Sequence, residues 1–493
     1  MKNIFWKYTL VLLTLAAVVY CNGDGNETLL PPQIISLDPA ANGLAALVDS
    51  IIKATFGQNM NSGDASTFVV QGSMSGKLPG TYSGSGSSTL AFDPNNNFKP
   101  GEEVEVTLTA GLTSTNRVSL VSPFVYRFLA EVGGTGNSNF VSQGTVMAGG
   151  GSRSVTAGDL DGDGDLDLAV ANQADNSVTL LLNDGSGSFN EAAGSPVSVG
   201  FDPGAVTSGD LDGDGDIDLA VANFFGFDVT VLLNDGSAGF SEAPGSPLPA
   251  GNVPFSITTG DLDGDGDLDL AVANENDDNV IILFNDGSAG FSEAPGSPIA
   301  VGDEPQSVAA GDLDNDGDLD LAVANFSGDN VTVLLNDGSA GFGEAVGSPV
   351  TVDNEPTSVI VGDLDGDSDL DLAVANFSGD NVTVLLNDGG AGFSEAAGSP
   401  IAAGNGPFSI TRGDLDGDGD LDLATANFAG FIDNATVLLN DGSARFSEAA
   451  GSPFVVGSDP FSITTGDLDG DGDLDLAVAN IFSNDVTLLQ NQP

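Results

Sequence analysis

The chain has 493 residues, 40% of them apolar, enough to bury real cores and too many for a disordered acidic tail. Its 72 Asp and Glu stand against 10 Lys and Arg, with no His, for a net charge of −62. That balance excludes nucleic acid as a partner, because duplex binding rests on cationic side chains displacing counterions, and a lone cysteine excludes an intrachain disulfide.

In chain order, Lys2 and Lys7 precede an apolar stretch from Tyr8 to Tyr20, the pattern of an export signal too short to span a membrane comfortably. Cys21 ends it, and Val18-Val19-Tyr20-Cys21 resembles the lipobox of bacterial lipoproteins, with Tyr20 where a small residue is usual. Lipidation of Cys21 is the expectation, against ordinary signal removal and an uncleaved anchor. Residues 1–21 are thus a signal peptide, and the protein is expected at the outer membrane or cell surface as a lipoprotein, or secreted. Any membrane contact runs through that lipid anchor alone.

After a polar tether at 22–32, residues 33–131 alternate short β-patterned runs with turn clusters, as in Val104-Glu105-Val106-Thr107-Leu108 and Phe124-Val125-Tyr126-Arg127-Phe128. The segments IISLDPAANG, TLAFDPNNNFKPGEEVEVTLTAGLTS and FVYRF resemble the bacterial Ig-like domain found beside surface-layer and adhesion modules. The resemblance implies a small β-sandwich serving as stalk or spacer. VGGTGNSN at 132–139 reads as a flexible linker.

From residue 140 the sequence repeats, and 62 of the acids lie here, with Arg153, Arg412 and Arg445 as the only bases. An acidic run begins at Asp159, Asp210, Asp261, Asp312, Asp363, Asp414 and Asp467, at spacings of 51 five times and then 53. Within one unit SVAAGDL, DLAVANF, NVTVLLND and GFGEAVGSPV read as four strands, the content of a propeller blade. Asn336-Asp337-Gly338 supplies a tight hairpin between the third and fourth. Ahead of the first run, NFVSQGTVMAGG matches a fourth strand without its first three, and the chain stops at VTLLQNQP with three strands and no fourth. The fold expected is all-β: a seven-bladed β-propeller at 140–493, closed by an N-terminal strand so that no edge is exposed, behind the Ig-like sandwich. An open solenoid with ragged ends is the alternative.

Each loop repeats Asp-Leu-Asp-Gly-Asp-Gly-Asp-Leu-Asp with minor variation. Its acids are Asp159, Asp161, Asp163, Asp165 and Asp167; Asp210, Asp212, Asp214, Asp216 and Asp218; Asp261, Asp263, Asp265, Asp267 and Asp269; Asp312, Asp314, Asp316, Asp318 and Asp320; Asp363, Asp365, Asp367, Asp369 and Asp371; Asp414, Asp416, Asp418, Asp420 and Asp422; and Asp467, Asp469, Asp471, Asp473 and Asp475. Carboxylates at alternating positions of a tight loop can converge on a hard cation, with side chains at positions one, three, five and nine and the carbonyl of position seven as natural ligands. One loop alone reads equally well as a solvated acidic turn. Seven of them, holding 35 of the 62 acids, are costly to pack without a counter-charge.

An EF-hand is excluded by Val170 at position twelve and by β-patterned flanks. The array instead resembles the FG-GAP or VCBS repeats that form the propeller head of integrin α chains. That resemblance covers 354 residues and implies Ca²⁺, up to seven ions, in the loops joining strands one and two of each blade. Loop five departs from the pattern, with Ser368 in place of the position-six glycine.

The expected function is a calcium-binding cell-surface or secreted binding or adhesion module for a protein or glycan ligand. No catalytic residue is assigned: His is absent, no Lys follows Lys99, and no cysteine lies in the array. The alternatives are a carboxylate-based polysaccharide-active enzyme and a calcium-rigidified structural surface protein. The ligand is expected on the face opposite the acidic loops, where the repeats diverge, with Phe224, Phe225, Phe227, Phe428 and Phe431 as candidates. Phe255, Phe408 and Phe461 are read as packing between blades.

Overall fold

The computed structural model describes residues 30–134, 138–338, 341–428 and 433–492. The export segment with Cys21, and Phe431, lie outside the described residues.

A sandwich comes first. One sheet has the spatial order Ile34–Asp38, Ile52–Phe56, Thr89–Pro94, Gly80–Ser83, and the other Gly76–Lys77, Phe68–Gly72, Glu103–Leu108, Phe124–Leu129. Phe68, Phe92, Tyr126 and Phe128 fill the space between them with Leu90 and Leu108. Alternation along Glu103–Leu108 sends Val104, Val106 and Leu108 into that core. Glu105 and Thr107 are buried too, against the second domain.

The second domain repeats one sheet. In its first copy Ser152–Gly158 is the inner strand, followed outward by Asp167–Asn172 and Ser177–Asn183. The outermost strand, expected to be continuous, is broken into Phe189–Glu191 and Val197–Ser198, both paired with the third strand. Among the described residues seven such sheets stand side by side; their inner strands touch in chain order, and Ser152–Gly158 also touches Pro460–Gly466, which makes a closed β-propeller.

The second strands read Asp-Leu-Ala-Val-Ala-Asn with little change and are buried throughout. They alternate by size instead of polarity: Leu270 and Val272 of one blade pack against Ala220 and Ala222 of the blade before it. A β-sheet packed on both faces needs this, because two rows of large side chains would hold the blades apart.

Closure at the seam is made by Phe140–Met147, which pairs antiparallel along Asp485–Asn491, Val146 opposite Val486 and Phe140 opposite Asn491. A hydrogen-bond relay also runs through every junction. In the first blade Asp167 accepts from the amides of Asn183 (2.8 Å) and Leu160 (2.9 Å). The Asn183 side chain then donates to the carbonyl of Leu468 in the seventh blade (2.8 Å). Asn234, Asn285, Asn336, Asn387, Asn440 and Asn491 reach the preceding blade in the same way.

Deleting residues 140–148 should strip the third strand of the seventh blade. Hydrogen exchange is expected to accelerate about tenfold or more at the amides of Val486 to Leu489 that face the closing strand, and to stay slow around Val323 in the fourth blade. Equal protection in the deletion contradicts closure.

Candidate metal centres and the channel mouth

Each acidic loop spans the gap from an inner strand to the second strand, at one end of the ring. In the first loop Asp159 accepts from the amides of Gly162 (2.9 Å) and Gly164 (3.1 Å), Asp161 from Asp163 (3.2 Å), and Asp163 from Asp165 (3.0 Å). These bonds coil the loop around its own carboxylates. Oxygens of Asp159, Asp161 and Asp167 come within 4.8 Å of one another, as do those of Asp210, Asp212 and Asp218, and of Asp363, Asp365 and Asp371. In loops three and four the gathered groups are Asp261, Asp263 and Asp265, and Asp312, Asp314 and Asp316. The position-seven side chains turn elsewhere: Asp165, Asp216, Asp267, Asp318, Asp369 and Asp420 lie against the glycine of their own Asn-Asp-Gly hairpin.

The residues fit a hard divalent cation. Asp314 Oδ1 and Asp365 Oδ1, both at position three, are buried without a hydrogen-bond partner, a state that is costly for a carboxylate unless a cation meets it. The donors are all oxygens, the ligand type of calcium and magnesium.

Burial raises the position-nine carboxyls against the pull of their two backbone bonds, to about 7 at Asp167, Asp218 and Asp371 and about 8 at Asp320, Asp422 and Asp475. Position-one Asp312 is likewise raised to about 7. A carboxyl whose folded value lies above its unfolded value favours the folded state while protonated. Without metal that contribution is full below the ordinary aspartate value of 3.8 and is lost as pH rises through about 7 to 8. A cation in the loop displaces those protons and holds the ionised form.

The sandwich lies across this end of the ring. Asp159 donates its amide to Met74 O (3.0 Å), and Lys99 Nζ stands 3.4 Å from its carboxylate. Over the third loop, Thr107 Oγ1 donates to Asp261 Oδ2 (2.5 Å) and the Asp261 amide to Glu105 (3.1 Å). Arg127 binds Glu105 (2.8 Å) and Glu103 (3.0 Å) and donates to Ala310 O (3.1 Å) on an inner strand. Arg412, pointing up from the sixth blade, pairs with Glu103. Burial opposes ionisation of Glu103, but Arg412 and Arg127 together outweigh it and hold its carboxyl below the usual range. Under this network the inner strands enclose a chamber of about 390 Å³, lined by threonines such as Thr156, Thr258 and Thr464. The sandwich, expected as a stalk, rests on the loops, and Gly134 of the connecting segment bonds Gly472 O at 3.2 Å.

The loops between second and third strands emerge at the other end. There Phe224 lies 4.7 Å from Phe225 and 5.7 Å from Phe255, and Phe408 lies 3.8 Å from Phe461 and 5.8 Å from Phe428, centroid to centroid. Phe225 and Phe227 are about half exposed (50% and 48%), and Phe227 is held at φ +60°. Phe255, Phe408 and Phe461, read as packing between blades, do pack against rings of other blades. They are the second residues of inner strands and meet across blades at the mouth of the channel.

Arg153 escaped the sequence reading. It occupies the same inner-strand position as Phe255, is 6% exposed, and holds its guanidinium 4.7–4.9 Å from the rings of Phe224, Phe255 and Phe461. Burial lowers its pKa to about 10, with Asp202 and Glu275 pulling the other way. Six residues before each acidic run, the repeats place Arg153 in register with Gly204, Phe255, Gln306, Thr357, Phe408 and Phe461.

Two families match the chain. The FG-GAP-like repeat covers residues 159–221, 223–272, 261–323, 312–374, 363–425 and 427–478, and the bacterial Ig-like domain covers 30–129. No curated protein matches it. Among solved structures it is similar to BBS1N in complex with ARL6DN (16% identity, TM-score 0.48, covering 72% of this chain and 97% of that one). It is also similar to an Agrocybe aegerita lectin that recognises non-reducing terminal N-acetylglucosamine (17%, 0.40, covering 86% and 100%). A third is an auxiliary nutrient binding protein from Bacteroides ovatus (10%, 0.40, covering 94% and 99%).

At position six the glycines adopt φ between +93° and +101°, and Ser368 is forced to +77°. A side chain there costs about 1 kcal/mol, so Ser368→Gly should tighten cation binding at loop five about fivefold. Calcium calorimetry on the full chain, with and without the substitution, measures this; equal or weaker affinity contradicts it.

Proposed function

The chain belongs to the FG-GAP-like repeat family and carries an N-terminal bacterial Ig-like domain, and on that footing we propose that it is an exported calcium-binding module that captures a protein or glycan at the open end of its propeller. The observation that carries this reading is the phenylalanine cluster that includes Phe224, Phe225 and Phe428, with Phe225 and Phe227 half exposed, at the end the sandwich leaves uncovered. Aromatic side chains in reach of solvent on a rigid ring supply contact area at low entropic cost, and variable loops on a repeated scaffold supply specificity.

Calcium in the loops is part of the same proposal. Carboxylates at positions one and three, with five or nine, hold each ion, and the bound charge cross-links loop segments that otherwise repel. The ions serve the fold, and the ligand binds at the far end. Placement at the cell surface or in the medium follows from the export signal at residues 1–21. No helix among the described residues is long and apolar enough to cross a membrane.

Binding of the purified chain to matrix proteins, glycans and whole cells identifies the ligand. Alanine at Phe225, Phe227 and Phe428 should then weaken capture about tenfold or more, with the calcium-dependent melt unchanged. Variants that bind normally, while changes at the Asn-Asp-Gly hairpins abolish capture, move the site to the loop end.

A further inference from the structure

The backbone carbonyl at position six of the loops meets the sandwich again and again. Gly164 O accepts from Lys99 Nζ (2.5 Å), Gly266 O from Gln71 Nε2 (2.9 Å), Gly317 O from the Val125 amide (2.6 Å), Ser368 O from Asn42 Nδ2 (3.0 Å) and Gly472 O from the Gly134 amide (3.2 Å). In loop two, Gly215 O approaches Gly76 so closely that a Cβ there would meet it at 2.6 Å. The repeat presents one atom around the axis, and the unsymmetrical sandwich with its connecting segment supplies a different donor for it at five of the seven blades.

That carbonyl is aimed by the same group that would hold the ion. The position-six amide donates to the position-one carboxylate in each of these loops: Gly164 to Asp159 (3.1 Å), Gly266 to Asp261 (2.9 Å), Gly317 to Asp312 (3.0 Å), Ser368 to Asp363 (3.0 Å) and Gly472 to Asp467 (3.1 Å). The sandwich touches position one directly as well, through Thr107 on Asp261 and Lys99 on Asp159. Cation and sandwich therefore brace the same short turn. When the cation leaves, clustered carboxylates repel at close range, and the turn that presents the carbonyl loses its shape.

We infer that calcium occupancy of the loops and docking of the sandwich are one coupled equilibrium: loaded loops hold the sandwich down, and emptied loops release it. This rests on the calcium reading. By linkage the effect is reciprocal, so that the docked sandwich must raise the affinity of the loops for calcium by the factor by which calcium favours docking. Release opens the loop end of the chamber and parts Arg412 from Glu103, while Arg127 stays paired with Glu103 and Glu105 inside the sandwich.

The test uses the full chain and a triple variant, Lys99→Ala with Gln71→Ala and Asn42→Ala, which removes the three side-chain donors and leaves every loop residue in place. Calorimetry reads calcium binding; hydrogen exchange at Val125 and the small-angle scattering radius read docking. In the native chain, chelation should accelerate exchange at Val125 and increase the radius, while second-strand amides such as Val170 and Val323 stay slow. In the variant, calcium affinity should fall about 5- to 10-fold, with the sandwich partly released even in calcium. Calcium binding with no change at Val125 or in the radius overturns the coupling alone, and no calcium binding at all overturns the metal reading with it. Should chelation unfold the blades outright, the variant in saturating calcium decides: release with unaltered calcium affinity refutes the inference.

Discussion

The carboxylate at position nine of each loop accepts from two backbone amides, and the second of those amides belongs to the asparagine whose side chain holds the carbonyl of the preceding blade's loop. Loop, strand and neighbouring blade are tied by that one relay. It runs round the ring without a break, including the seam, where Asn183 reaches Leu468 and Asn491 reaches Leu415. The inner strands add a lighter tie of the same kind, Ser154 accepting from Val206 and Ser462 from Val155. A buried carboxylate is an expensive centre for such a relay. It sits beside four more acids of its loop, and burial drives it toward protonation. The ring is therefore built on groups that want either a proton or a cation, in a chain with almost no basic side chains to offer.

Half of the ten basic side chains stand at the two ends of the ring. Lys99 and Lys77 approach the first and second loops from the sandwich, Arg127 and Arg412 clamp Glu103 and Glu105 at the loop end of the channel, and Arg153 fills its other mouth among phenylalanines. The two ends of the ring thus differ in character. One is ionic, bonded and covered by the sandwich; the other is aromatic and half exposed. The first has its polar groups engaged within the chain, which is why the proposed capture of a ligand is assigned to the second.

Much of this was legible in the sequence. A period near fifty residues, four β-patterned runs per unit, and complementary fragments at the two ends sufficed for the propeller and its closing strand, because those features depend on spacing alone. Alternation along Val104 to Leu108 correctly marked a strand with one polar edge, but pattern does not say what a polar edge faces; Glu105 and Thr107 face loop three, which made the expected stalk a docked domain. Asp167 and its equivalents looked like cation ligands because they end an acidic run. Their two backbone bonds depend on how the third strand returns beside the loop, which no local pattern records. Arg153 stands six residues before its acidic run, as Phe255, Phe408 and Phe461 do, but spacing does not say that these side chains meet at one mouth of the channel; ring closure brings them together.

On the proposed calcium reading, the acidic loops need a cation to hold the ring at neutral pH. Thermal melting of the full chain at about pH 5 and about pH 8, in calcium and in chelator, tests it most directly. With chelator the melting temperature should fall as pH rises, because protons that stabilise the raised carboxyls are lost. With calcium it should hold or rise, because the ion replaces them. Coincident melting temperatures with and without metal at the higher pH would mean that the ring holds without a cation.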